Sequence, residues 1–344
     1  MMAAVNDTTF THAVFLLTGI PGQEDVYLWI AVLFCTLYVI LIVGNSVILF
    51  IIKTDSVLHE PMYIFLSMLA VTDLSLSIVT GPTILGVFLF NSREISLHAC
   101  FAQMFFIHFL QSIETSVLLL MAFDRFVAIS NPLRYSSILT LPRIANMGLV
   151  CVLRGVTVKL PLPLLLQRYR YCRANVLSHS YCLHQDVMNM ACAEVMNMAC
   201  ADITVNNIYG LVITVLTVGL DSLLIFISYL LILKTVLSIA SRTEFLVALN
   251  TCVSHLCAVL LFYTLEFSQT LVHRFAKSSS PLPHVVLGYI YLLVPPLMNP
   301  IVYIVKSKHL RARIIKMFIK LWGSLSPRCE MRDKNHRPQQ VIPS

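Results

Sequence analysis

The chain has 344 residues, 58% of them hydrophobic and only 12% charged, against roughly 45–50% and about 25% in ordinary globular proteins. So few charges cannot furnish a water-facing shell, so much of the surface must be solvated by lipid. The composition excludes a cytosolic enzyme, a nucleic-acid-binding module, a disulfide knot and a disordered scaffold; the net charge of +7 has to be read by position.

A helix needs about 20 mostly apolar residues to cross a bilayer. Residues 1–26 precede the first such stretch and hold three acids and no base, together with the single N-x-[ST] acceptor triplet, Asn6-Asp7-Thr8. No basic segment followed by a cleavable apolar run stands there, so span one is expected to act as its own signal anchor. Val26 to Ile52 carries no charge. Pro61 to Ser92 carries only Asp73, and Phe101 to Phe123 only Glu114. Ile144 to Leu166 holds Arg154 and Lys159, and Ile203 to Leu233 holds Asp221. Phe245 to Leu265 and Ser278 to Val305 are uncharged. The expectation is an all-α membrane protein, a seven-transmembrane-helix bundle over residues 27–306.

Basic residues orient it. With the N-terminus outside, sixteen of the 24 Lys and Arg lie on the inner side and six on the outer, as the positive-inside rule requires. That makes Asn6 an extracellular glycosylation candidate. After span seven, residues 307–322 alternate Leu310, Ile314, Ile315, Phe318 and Ile319 with Lys308, Arg311, Arg313, Lys316 and Lys320. Such spacing predicts a short amphipathic eighth helix on the anionic inner leaflet. Residues 323–344 are polar and read as a disordered cytoplasmic tail.

Of ten cysteines, five fall on the outer side, where disulfides persist: Cys100, Cys172, Cys182, Cys192 and Cys200. The odd number has a visible origin. Val187-Met-Asn-Met-Ala-Cys-Ala193 recurs as Val195-Met-Asn-Met-Ala-Cys-Ala201. Two copies cannot stack into a solenoid, and a Met/Cys metal site lacks a converging histidine cluster. A tandem duplication that added a redundant cysteine is the simpler reading.

Several strings then carry a family resemblance. Gly44-Asn45, Leu69-Ala70-Val71-Thr72-Asp73, Asp124-Arg125-Phe126 and Asn299-Pro300-Ile301-Val302-Tyr303 resemble the rhodopsin-like G-protein-coupled receptors. Leu58-His-Glu-Pro-Met-Tyr63, Met121 to Ile129, Pro132-Leu-Arg-Tyr135, Ser228-Tyr229 and Asn250 to His255 narrow this to the olfactory receptors. Phe105 to His108, His184-Gln-Asp186, Val272-His-Arg274 and Leu292 to Pro300 resemble the class I, fish-like branch. Three departures stand out: Thr264-Leu265 replaces a span-six proline, Val247 replaces a basic residue at the inner start of span six, and the outer loop carries the duplication.

The resemblance implies a Cys100–Cys182 bridge and a second from Cys172 to Cys192, with Cys200 as the alternative partner. It implies a sodium ion at Asp73 and Glu114; a proton shared by the two carboxylates is the alternative. It implies an arginine, Arg125, restrained by Asp124 and released toward the G protein, with Tyr229, Asn299, Pro300 and Tyr303 in the activation machinery. No other cofactor is implied.

A charge at the bilayer centre costs about 2.5–3.5 kcal/mol on insertion scales, so each requires a reason. Asp221 matches a family position without suggesting a role. In the outer half, His108, Gln185 and Arg274 can converge on a carboxylate, which an arginine binds bidentately. A loop-end arginine and an interior histidine are the plainer alternatives for Arg274 and His108. Lys159 and Glu266 stand where the branch carries apolar pocket residues. Glu266, Thr270 and Arg274 follow one another at helical spacing. Either Lys159 pairs with Glu266, or the glutamate stands unpaired and repels acids; the sequence leaves both open. The function read from all this is an odorant-activated receptor for small organic acids or related aliphatic odorants. Its pocket lies between helices 3, 4, 5 and 6, and its partners are a small-molecule odorant, a stimulatory G protein and the bilayer. A metabolite receptor outside the nose is the close alternative. A transporter would show inverted repeats or broken helices in matching halves, and an enzyme a catalytic cluster; neither signature is present.

Overall fold

The structure, a computed structural model, describes residues 14–20, 22–167, 176–191, 199–238, 242–275 and 281–325. Seven helices are long and apolar enough to cross a membrane. Spans one to three are α1 (Tyr27–Thr54), α2 (Pro61–Phe90) and α3 (Leu97–Ser130), and a short α4 (Tyr135–Ile138) follows in the next connection. Span four is α5 (Leu141–Lys159) continued by α6 (Pro161–Leu166), and α7 (His184–Ala191) lies in the loop after it. Span five joins α8 (Ala199–Thr214) to α9 (Leu220–Leu237) through a π-helical turn, Val215–Gly219. Spans six and seven are α10 (Arg242–Phe275) and α11 (Pro281–Lys306), and α12 (Lys308–Leu325) is the expected eighth helix, starting one residue later and ending three residues later than its amphipathic pattern.

Helix ends follow local chemistry. Span two starts with Pro61 in its first turn, where the missing N–H is no loss. It stops at Asn91, whose φ of 51° lies in the left-handed region that asparagine tolerates. Ser96 caps span three by accepting the Ala99 N–H at 3.3 Å. Pro161 and Pro163 cannot donate helical hydrogen bonds, and span four divides beside them.

The two largest buried apolar clusters among the described residues sit at different levels of the bundle, with polar residues between them. Ile48, Leu69, Val117 and Tyr303 belong to the inner cluster; Tyr38, Leu76, Leu110 and Leu293 belong to the outer. On spans one, two, three and seven the residues between these levels include Asn45, Asp73, Glu114 and Asn299, all buried. Lipid supplies no hydrophobic drive between helices, so close packing and these internal polar contacts hold them together. Many large apolar side chains face outward, Trp29, Ile78 and Phe90 among them. On α12, Leu310 is buried against the bundle while Ile315, Phe318 and Ile319 are exposed. Arg313 pairs with Asp55, and Tyr63 shares a 3.1 Å hydrogen bond with Ser307 at the start of this helix.

One feature was not expected from the sequence: part of the N-terminal segment is a strand. β1 (Val14–Leu17) is the middle strand of a small sheet, antiparallel to β2 (Glu94–Ser96) and parallel to β3 (Val176–Leu177). Phe15 and Leu17 are buried beneath it beside Cys100 and Cys182. Strands this short carry too little period-two pattern to be legible before their partners are known.

The loop after span four is folded onto the bundle. Cys182 is disulfide-bonded to Cys100, with Cα atoms 5.4 Å apart, and its N–H donates to Gln103 Oε1 at 2.9 Å. Ser180 and Tyr289 share a hydrogen bond of 2.6 Å, and His179 pairs with Asp186 at 2.6 Å. Gly288 permits this approach, since a Cβ there would lie 2.7 Å from the Tyr181 hydroxyl. Asn6, Cys172 and Cys192 lie outside the described residues, as does the side chain of Cys200. Cys182→Ser is expected to cost about 2–5 kcal/mol, measured as lost surface expression. A non-reducing peptide digest should identify whether Cys172 pairs with Cys192 or with Cys200.

Candidate functional site

A cavity of about 70 Å³ opens in the outer half of the bundle. Span three contributes His108, Gln111, Ser112 and Thr115, and span four Lys159. Gln185 enters from the loop, just beyond the bridge cysteine. Thr214, Thr217 and Val218 come from span five, Glu266, Gln269 and Thr270 from span six, and Tyr291 from span seven. Five of the six ligand candidates read from the sequence therefore meet here: His108, Lys159, Gln185, Glu266 and Thr270. The sixth, Arg274, follows Thr270 by four residues on α10; its side chain is outside the described residues. A second chamber of about 50 Å³ adjoins on the loop side and shares His108, Lys159, Gln185, Thr214 and Thr270.

Apart from Leu183 and Val218, the lining residues carry polar groups, and their carbon atoms share the wall about equally with the polar atoms. The π-helical turn places both Thr217 and Val218 on the cavity, an insertion that often marks functional positions. Glu266 accepts a hydrogen bond from Tyr291. Lys159 and Glu266 line the same cavity and interact electrostatically, yet no ion pair joins them among the described residues. Ser112 Oγ and Gln185 Oε1 are buried without a hydrogen-bond partner among the described residues.

Beneath the cavity lies the partner of Asp221, which the sequence did not reveal. Arg154 Nη2 contacts Asp221 Oδ2 at 2.9 Å, while Arg154 also donates to Ser116 Oγ at 3.1 Å and to the Thr217 carbonyl at 3.3 Å. This contact fixes span four to span five at the π-helical turn. Both charges had been visible in separate spans, but nothing in their spacing indicated that they meet.

The central polar layer joins Asp73, Glu114 and Asn299. Asn299 Nδ2 lies 3.2 Å from Asp73 Oδ2 and 3.5 Å from Glu114 Oε1. One amide thus serves two buried carboxylates, leaving most of their acceptor capacity for another donor or a cation. An all-oxygen donor set fits a hard cation rather than a soft one.

At the inner end, Arg125 donates through Nε at 2.9 Å and Nη2 at 2.5 Å to Asp124 Oδ2. Asp124 Oδ1 accepts the Tyr135 hydroxyl at 2.7 Å. Burial, then the nearby carboxylate, pushes the Tyr135 pKa above its ordinary value, keeping this hydroxyl a donor. Tyr229 of span five shares a 2.7 Å hydrogen bond with His255 of span six, and the Tyr303 hydroxyl approaches the Met121 sulfur at 3.8 Å.

Comparison with known proteins decides the family. The sequence model described as "Olfactory receptor" matches residues 34–321. The chain belongs to the olfactory receptor family. It is similar to the human Olfactory receptor 51G2, 57% identical over 313 residues covering 91% of this chain and 97% of the relative. Human Olfactory receptor 51G1 is 54% identical over 92% of this chain and 96% of its own length, and Olfactory receptor 51A4 is 52% identical over 91% and 97%. These likenesses agree with the class I branch. The receptor is a G-protein-coupled receptor and not an enzyme, a multi-pass protein of the plasma membrane that in general terms takes a small-molecule ligand and a G protein.

The Arg154–Asp221 contact can be tested directly in this receptor. Arg154→Ala should destabilise the fold by about 3–5 kcal/mol by stranding a buried carboxylate. Arg154→Met with Asp221→Leu should recover much of the loss, read from surface expression and thermal stability in detergent.

Proposed function

We propose that the receptor detects small organic acids in the cavity between spans three, four, five and six. Ligand binding activates a stimulatory, olfactory-type G protein and raises cyclic AMP. The observation that carries the ligand reading is the convergence of His108, Lys159, Gln185 and Thr270 on one enclosed site, with Arg274 four residues outward along span six. A carboxylate entering from the loop side meets donors from three helices and the loop, and a guanidinium suits it bidentately. The Cys100–Cys182 bridge holds Gln185 over this site.

Coupling is supported by the inner end. Arg125 is occupied by Asp124, and Tyr229 is tied to span six through His255. Movement of span six would break that tie, and separation of Arg125 from Asp124 would leave the guanidinium free to meet a partner. Asp73 and Glu114 would hold a sodium ion, which would offset the repulsion of two carboxylates in the resting arrangement; Asn299 would orient both. Those residues supply charge and position, not a reaction.

Arg274→Ala should abolish responses to acids in a cyclic AMP assay, because losing a charge-assisted pair in a dry site costs about 2–5 kcal/mol. Unchanged acid potency in that variant would remove the anchor. Replacing sodium by a large organic cation should raise basal cyclic AMP in the wild type, and Asp73→Asn should be insensitive to the exchange. Equal sodium dependence in both would favour a shared proton.

A further inference from the structure

The fixed charges of the cavity describe a ligand with two poles. Lys159 brings an ammonium from span four, and Glu266 brings a carboxylate from span six. They line one cavity without an ion pair between them, although a charge at this depth is expensive to leave unmatched. Glu266 is supported by Tyr291. Lys159 is set differently: no hydrogen bond or ion pair reaches it among the described residues, and it lies where the two chambers meet. Glu266 lines only the inner chamber, where Ser112 Oγ remains without a partner.

We infer that the receptor recognises short dipolar molecules carrying a carboxylate and an amino group at separated positions, with the carboxylate toward Lys159 and the amino group toward Glu266. This inference rests on the acid-binding reading of the same cavity and adds a second pole to it. A simple acid satisfies Lys159 but brings a second anion near Glu266. A simple amine makes the opposite error. Discrimination thus comes as much from repulsion of singly charged ligands as from attraction of the dipolar one. Because no ion pair closes between Lys159 and Glu266 among the described residues, each charge of the ligand has its own partner to meet, as an amino group at the far end of the chain allows.

The test uses the purified full-length receptor and three probes of matched length: butyrate, butylamine and γ-aminobutyrate. Ligand-induced thermal stabilisation reads binding, and cyclic AMP in expressing cells reads coupling. γ-Aminobutyrate should bind at least about tenfold more tightly than either singly charged probe. Glu266→Gln should erase its advantage over butyrate, and Lys159→Met its advantage over butylamine. Butyrate binding as tightly as γ-aminobutyrate to the wild type would overturn the inference and leave the acid reading standing. Binding of none of the three to folded receptor would overturn both. Stabilisation by γ-aminobutyrate without a cyclic AMP response would uphold the inference and remove only the proposed coupling. Should either variant fail to reach the membrane, the wild-type ratio of the three affinities decides alone.

Discussion

Inside hydrocarbon a polar group has no water to turn to, and the interior of this bundle is organised by that constraint. Pro300 is the clearest case. Lacking an N–H, it leaves the carbonyl of Pro296 without its helical donor. Asn45 of span one supplies the replacement, its Nδ2 donating to Pro296 O at 3.1 Å and to Leu41 O at the same distance. A defect in span seven thereby becomes a joint between the first and last spans. The same logic places Asn299 between Asp73 and Glu114, Arg154 against Asp221, and Asp124 between Arg125 and Tyr135. Each contact satisfies one helix with a group from another or from an adjoining connection, except the neighbouring Asp124 and Arg125, which satisfy one another.

This explains which parts of the receptor were legible in its sequence. Span count and orientation depend on hydropathy and on the placement of Lys and Arg, both properties of contiguous segments. The eighth helix depends on 3.6-residue spacing, also local. Motif residues such as Asp73, Arg125 and Asn299 came through resemblance, and the structure sets Asp73 beside Asn299 and Arg125 beside Asp124. The ligand candidates other than Arg274 line one cavity. What stayed hidden was pairing between distant segments. Asp221 and Arg154 are 67 positions apart, and Tyr291 was one aromatic among many until Glu266 was found to accept from it. The strand at Val14–Leu17 was hidden for the same reason, because its partners lie in two separate loops.

The polar layer also separates two different tasks. Above it, a cavity with mostly polar lining residues lies beside the disulfide-tethered loop, which contributes Leu183 and Gln185 to its wall. Below it, apolar packing around Leu118, Met121 and Tyr303 surrounds the Asp124–Arg125 pair. Span three runs through both regions. His108 and Arg125 are 17 residues apart, about 25 Å of helix, with Glu114 between them.

A long helix that stays rigid cannot by itself convert occupancy of the cavity into release of Arg125. The change has to come from neighbours that touch the ligand site and move against span three. Spans five and six meet that requirement. Both line the cavity, through Thr214, Thr217, Glu266 and Thr270, and both reach the inner end, where Tyr229 and His255 join them. Arg154 fixes the upper part of span five to span four at the π-helical turn, so span five is the more restrained of the two. Span six has no comparable charged tie to another span among the described residues; its Glu266 contact with Tyr291 sits on the cavity wall itself. A ligand shifts the balance between two arrangements only by the difference in its contacts with them. Glu266 and Thr270 are contacts that would differ as span six moves, so for a ligand bound as proposed the cavity's span-six wall is where binding energy would be converted into a change at the inner end.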